Sequence, residues 1–259
     1  MVFDLRSPSK FEIAPKAVIF DTDNTLYEYA PPHTKAMVAV ENKAMKALGI
    51  EGKQFKKAFE QARDMVKARL GNTASSHSRL LYFQRALEIL GLRTQLLLTL
   101  DLEQTYWRTF LSHCELFSGV RAFLSALRRE GIHTAIITDL TSQVQFRKII
   151  YFGLDDLFDF VVTSEEAGID KPTPRSFELT LEKLGIDSKD AWMVGDNSVS
   201  DILGAQNVGM TALQKFHRGV KIDEKITPDL IFGDFDSLHD FMRRKSWVAC
   251  SAPPELDRF

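Results

Sequence analysis

The sequence predicts an α/β protein: a doubly wound parallel sheet with one helical insert. Three observations carry that prediction. Short continuous apolar runs alternate with helix-period segments from about Phe117 onward, a run of the same kind occurs once near the start, and the long stretch between the two is helical in period. Ala17–Phe20 (AVIF), after Pro15-Lys16, has the unbroken apolar character of a strand buried on both faces. Thr134–Thr138, Phe160–Thr163, Ala191–Val194, Met210–Leu213 and Asp229–Phe232 read the same way. Between them, Val120, Phe123, Leu124 and Leu127 form the apolar stripe of a helix that Gly131 ends, and Ser142–Ile150 is helix-like.

In the insert, Phe55, Phe59, Ala62, Val66 and Leu70 recur at steps of three and four, as do Leu80, Phe83, Leu87 and Leu90. Gly49, Gly71-Asn72 and Gly91 divide this region into about four helices. The expected division is a sheet-bearing core from residues 1–28 and 116–259 and a helical unit from residues 29–115. Lys245–Phe259, with two prolines and no period, reads as a tail.

Composition narrows the function. The 259 residues carry 33 lysines and arginines against 35 aspartates and glutamates, a net charge of −2, which excludes a globally basic nucleic-acid binder. Cys114 and Cys250 are too few for a disulfide framework and lack the spacing of a metal site, which favours a reducing compartment. The opening MVFDLRSPSKFEIAP has no long apolar segment, and no apolar run reaches the roughly 18 residues that span a bilayer. The expectation is a soluble, cytoplasmic chain with no membrane, nucleic-acid polymer or protein partner.

Chemistry concentrates where the strands end. Asp21-Thr22-Asp23-Asn24-Thr25 follows the first strand, in the position where open α/β sheets hold ligands. The second strand ends in Thr138-Asp139, just before a helix start suited to anions. After the third, Gly168-Ile169-Asp170-Lys171-Pro172-Thr173-Pro174 presents a lysine on a stiff turn, with Thr173 placed to cap a helix that begins at Pro174. The fourth ends in Gly195-Asp196-Asn197-Ser198-Val199-Ser200-Asp201. Each stretch alone is an ordinary turn or cap; together they put four acids, a hydroxyl and a lysine on one rim.

In that order and spacing, Asp21–Thr25, Thr138, Lys171 and Gly195–Asp201 resemble the four motifs of the haloacid dehalogenase-like hydrolase superfamily. The resemblance covers nearly the whole chain. It implies a Rossmann-like catalytic core, makes the insert similar to the family's smaller helical cap, and points to the phosphatases rather than the dehalogenases, because Asp23 is present. DNTLY, TSEEAGIDKP and VGDN look nearest to the pyrimidine nucleotidase and N-acylneuraminate 9-phosphate phosphatase branch.

The resemblance implies Mg2+ held by the carboxylates of Asp21 and Asp196 and the backbone carbonyl of Asp23, with Asp201 holding a water or orienting its neighbours. Asp21 is then the nucleophile, forming an aspartyl phosphate, and Asp23 the general acid and base. Thr138, the Asp139 amide and Lys171 would bind the phosphate oxygens. Thr25 and Asp139 are further candidates for substrate contact. Three residues depart from the common pattern. Thr22 is expected to point away from Asp21 and Asp23, Asn24 to tolerate a left-handed turn, and the Asp139 carboxylate to face away from phosphate.

Specificity falls to the cap. Between Lys35 and Gly71 there are nine lysines and arginines against four acids, either solvated helix faces or a field for an anionic substrate. The polar loop Gly71–Arg79 offers His77 or Arg79 to the leaving group; the alternative is a helix start capped by Ser76 or Ser78, with Arg79 in solvent. Tyr27 and Tyr29 are either packed or able to stack on a base or sugar. The implied substrate is a small phosphorylated metabolite, a nucleotide or sugar phosphate. The alternatives are a phosphomutase on the same core and a non-catalytic binding protein that keeps the fold.

Overall fold

A computed structural model describes residues 2–220 and 222–249. Cys250 and the rest of the expected tail lie outside the described residues. The elements run β1 (Phe3–Leu5), β2 (Ala17–Phe20), α1 (Ala30–Leu48), α2 (Gly52–Leu70), α3 (Arg79–Ile89), α4 (Leu96–Ser112), α5 (Val120–Arg129), β3 (His133–Thr138) and α6 (Ser142–Tyr151). They continue through β4 (Phe160–Thr163), α7 (Ser164–Ala167), α8 (Pro174–Leu184), β5 (Ala191–Gly195), α9 (Gly204–Asn207), β6 (Thr211–Lys215), β7 (Leu230–Phe232) and α10 (Phe235–Arg244). A π-helical turn, Ser198–Leu203, leads into α9.

The sheet order is β1-β7-β6-β5-β2-β3-β4, parallel throughout except for β1, which pairs antiparallel with β7. The six expected strands are present, and the two central ones, β2 and β5, are buried along their whole length, as a sheet covered on both faces requires. Their shared register pairs Phe20 with Val194, so Asp21 leaves the sheet level with Gly195 and Asp196 follows one residue later on the neighbouring strand. The sequence gives no sign of β1: three residues with alternating partial exposure at a sheet edge are too short to show a period.

One corrected boundary lies at the carboxyl end. Lys245–Ala249 is not a free tail, since Trp247 packs edge-on against Trp192 and Phe241 and Val248 is buried. One aromatic anchor, Trp247, holds a segment whose sequence shows no period.

Residues 30–112, between β2 and α5, hold four helices that pack on one another, sharing a core that includes Val40, Phe55, Phe59, Phe83, Leu102 and Phe110. The chain leaves the sheet and returns at one place. Tyr27 forms isolated bridges with Asp23 and Leu116, and the Phe117 amide donates to the Leu26 carbonyl at 2.9 Å. No helix among the described residues is long and apolar enough to cross a membrane.

Candidate active site

The carboxyl ends of β2, β3 and β5, with the loop before α8, surround a hollow of about 230 Å³. It is lined by Asp21, Asp23, Asn24, His77, Thr138, Asp139, Lys171, Asp196, Asn197, Ser200 and Asp201. Nearly every rim residue named from sequence is there. Thr25 is not: it is fully buried and its hydroxyl donates to Asp21 Oδ2 at 3.1 Å, so it fixes the first carboxylate and has no surface to offer a substrate. Arg79 is also outside this hollow.

Lys171 organises the acids. Its side chain is 2% exposed, and its ammonium donates to Asp21 Oδ1 and to Asp201 Oδ1 at 2.7 Å each, and to the Ile137 carbonyl at 3.2 Å. Burial alone would lower its pKa, but Asp201 and Asp21 outweigh that and hold it well above its ordinary value. Asp201 also accepts from the Asn197 amide at 3.0 Å, and the Asn197 side chain caps the π-helical turn through the Val199 and Ser200 amides. Gly195 is required here, because a Cβ at this position would overlap the Asp201 side chain.

Oxygens of Asp21, Asp196 and Asp201 lie within 4.8 Å of one another. Crowding in a buried place disfavours the charged forms of Asp21 and Asp196. Burial, with the Asp201 charge and against Lys171, pushes Asp21 up to about 6; burial, with Asp21 and Asp201, pushes Asp196 up to about 8. An all-oxygen set whose acids repel one another suits a hard divalent cation, which would relieve that repulsion. The Asp23 side chain is not part of the cluster.

Asp23 faces the other way, toward a group that the sequence did not reveal. Lys148, on α6 and 2% exposed, donates to Asp23 Oδ1 at 2.8 Å, and the Tyr27 hydroxyl donates to the same oxygen. The ammonium lies 5.7, 5.5 and 5.6 Å from the ring centres of Tyr27, Trp107 and Phe110, so α4 of the helical insert helps to cage it. Burial raises the Asp23 pKa, but Lys148 and Tyr27 more than offset this and the net shift is downward. Lys148 escaped notice because a lysine in a helix is ordinarily read as solvated. The apolar period gave no signal, since Gln145, Lys148 and Ile149 share the buried face of α6 whereas Phe146, Ile150 and Tyr151 are exposed.

Gln145 and Thr22 serve the motif threonine. The Gln145 amide donates to Thr138 Oγ1 at 2.7 Å, and Thr22 Oγ1 lies 2.9 Å from the same oxygen. Thr22 therefore turns away from the acids, as alternation predicts, and meets Thr138. Asn24 adopts φ +62°, the left-handed conformation expected, and its side chain accepts from the Tyr29 amide at 3.0 Å. Asp139 lines the hollow, yet its Oδ1 accepts from the Lys171 amide at 3.0 Å, which ties that oxygen to the loop.

Two local expectations need correction. Thr173 occupies the cap position of α8, but its hydroxyl donates back to the Asp170 carbonyl at 2.6 Å instead of accepting from the helix. The Ser142 amide at the start of α6 is taken by Glu165 Oε2 at 2.8 Å and is not available to an anion. In the Gly71–Arg79 loop, Ser78 does cap α3 through the Leu81 amide, but Arg79 is not in solvent. Its guanidinium donates to the His77 carbonyl and the Tyr29 hydroxyl and lies 5.4 Å from the ring centres of Tyr82 and Tyr106. His77 Nε2 lies 2.9 Å from Asp170 Oδ2, which attaches this loop to the rim.

The family model of the haloacid dehalogenase-like hydrolases matches residues 15–209. The chain belongs to this family. A ribulose-1,5-bisphosphate 5-phosphatase of Halopiger xanaduensis is 39% identical over 75% of this chain and 82% of its own length. A glyceraldehyde 3-phosphate phosphatase of Pyrococcus furiosus is 29% identical over 89% of this chain and 94% of its own. The human N-acylneuraminate-9-phosphatase is 29% identical over 82% and 87%. Among solved structures, a phosphatase of this family from Thermococcus onnurineus aligns with TM-score 0.68 and 25% identity over 87% of this chain and 97% of its own. A 2-haloacid dehalogenase from Pseudomonas syringae, at 23% identity and TM-score 0.72 over 90% and 99%, shares the fold. The enzyme class is phosphatase.

Proposed function

We propose that the protein is a Mg2+-dependent phosphatase that hydrolyses a small sugar-phosphate monoester through an aspartyl phosphate on Asp21. The observation that carries this reading is the convergence of Asp21, Asp196, Asp201 and Lys171 on one rim hollow. The names of the relatives, a ribulose-bisphosphate and a glyceraldehyde-phosphate phosphatase, favour a sugar phosphate over a nucleotide.

The Asp21 and Asp196 carboxylates and the Asp23 carbonyl would hold the cation, with Asp201 steadying them. When bound, it neutralises phosphate charge that would otherwise repel the attacking carboxylate. Lys171 and Thr25 hold the two oxygens of Asp21 in place for attack. Thr138 accepts from Gln145; if Thr22 donates as well, the Thr138 proton is left to point at a phosphate oxygen. Asp23, held as a carboxylate by Lys148 and Tyr27, is ready to take a proton from the hydrolytic water. To protonate the leaving alcohol it must first gain a proton, which requires the Lys148 contact to loosen. We assign residues 29–115 as the cap and residues 1–28 and 116–259 as the core, a division that follows the paired exit and return of the chain at Tyr27 and Leu116.

The test is phosphate release from a panel of sugar phosphates, nucleotides and an aryl phosphate, with magnesium, with chelator, and with Asp21→Asn. Magnesium-dependent release that the variant loses is the expected result. Wild-type rates in Asp21→Asn would overturn the assignment, and isomerised product without free phosphate would replace it with a phosphomutase.

A further inference from the structure

A second hollow of about 230 Å³ lies within the helical insert, lined by Tyr29, His33, Phe59, Arg63, Lys67, His77, Arg79 and Tyr82. His77 lines this hollow and the rim hollow alike, so the two are neighbours across one side chain. Three permanent cations face it and no carboxylate does. Arg63 and Lys67 stand four residues apart on α2, a like-charged spacing that works against a helix. Arg63 shares Asp64 with the outer surface at 3.0 Å, and Asp170 is engaged by His77. The Lys67 ammonium has no hydrogen-bond or ion-pair partner among the described residues, and the buried Nε of Arg79 has none either. Asp64 and Asp170 do not outweigh the burial and crowding of these cations at Lys67. Burial, then Arg79 and Arg63, lowers the Lys67 pKa and brings His33 down to about 4.

We infer that this hollow is a second anion subsite, in which Arg63, Lys67 and Arg79 take a second phosphate group of the molecule whose first phosphate is cleaved on the rim. The substrate is then a short linear bisphosphate, spanning both hollows past His77. Three cations match a dianionic phosphate better than a single carboxylate, and arginine forks suit its oxygens. This inference rests on the phosphatase reading and names its substrate class.

Three probes test it: butanediol bisphosphate, butanediol monophosphate and the phosphate ester of hydroxybutanoate. The bisphosphate should exceed the monophosphate in kcat/KM by about tenfold or more, mostly through KM, and Lys67→Gln should bring that ratio down by about tenfold. Lys57→Gln, at a lysine of the same helix that is exposed like Lys67 but does not line the hollow, removes the same charge and should keep the ratio. A ratio near one in the wild type overturns the subsite, as does an equal effect of the two lysine variants, which would mean a diffuse field. An ester of hydroxybutanoate that matches the bisphosphate overturns the assignment to phosphate. If no probe is hydrolysed the phosphatase reading has failed, and calorimetric binding of the same compounds decides the subsite alone. Tighter binding of the bisphosphate that Lys67→Gln abolishes supports it, and equal binding of bisphosphate and monophosphate rejects it.

Discussion

The two hollows that share His77 are electrostatic opposites. On the sheet rim, five aspartates face one lysine; in the helical insert, two arginines and a lysine face no acid. Neither set is balanced from within, since Asp196 is pushed up to about 8 on one side and Lys67 is lowered on the other, both by burial first and like charges next. On the proposed function the rim takes a cation and the insert an anion. The rim is held by strand ends whose register fixes every side chain, whereas the insert places its cations on a helix face and a loop.

The most direct way to break this contrast is to remove the rim's nucleophile. Asp21→Asn should cut turnover by roughly 10⁴-fold or more with the circular dichroism spectrum unchanged, because the group that forms the covalent bond is gone. Unfolding of the variant would mean instead that Asp21 is structural.

Lys148→Met asks whether the rim depends on its second buried lysine. Without the ammonium, Asp23 loses its main counter-charge and its pKa rises, so the acid limb of the kcat/KM profile should move to higher pH. Activity at neutral pH should fall by roughly 10²-fold, within the range for a disabled general base. An unshifted profile would show that Lys148 only packs.

Magnesium sharpens the contrast through stability. Asp21 and Asp196 are raised, to about 6 and about 8, so without metal the folded chain keeps protons that the unfolded chain has released. Their contribution is complete below the ordinary carboxylate pKa and is lost as pH rises through about 6 and then about 8. A cation replaces those protons. The rise in Tm that magnesium gives over chelator should accordingly be larger at about pH 8.5 than at about pH 5.5, as scanning calorimetry would read. A pH-independent increment would remove Asp196 from the metal set.

The smallest effect is expected at Thr22→Val, which keeps shape and deletes the hydroxyl beside Thr138. Loss of one neutral hydrogen bond, about 1 kcal/mol, should weaken kcat/KM by only about fivefold.

The same contrast explains what was legible in the sequence. Strands and motifs could be read because buried parallel strands are continuous apolar runs and their ends carry the chemistry at fixed order. Asp21, Asp23, Thr138, Lys171, Asp196 and Asp201 thus reach one hollow as the motif order implied. Lys148 and Gln145 could not be read in the same way. They lie on a helix whose apolar residues Phe146 and Ile150 are exposed, an inversion visible only once the neighbours are known. For Arg79 the solvent alternative fails, because the rings of Tyr82 and Tyr106 that shelter it come from a turn of α3 and from α4. Edge strand β1 and the anchor Trp247 are too short or too isolated to carry a period.

The bridges that bring Tyr27 beside Leu116 have one more consequence. An insertion whose two ends meet is topologically a closed loop hung from a single point of the sheet, so its length and internal order are free variables as far as the strands are concerned. Nature or an engineer can exchange such a cassette at this one seam and keep the pairing of β2 with β3. Because α4 lends Trp107 and Phe110 to the cage around Lys148, an exchanged cassette has to restore those two rings if Asp23 is to keep its counter-charge.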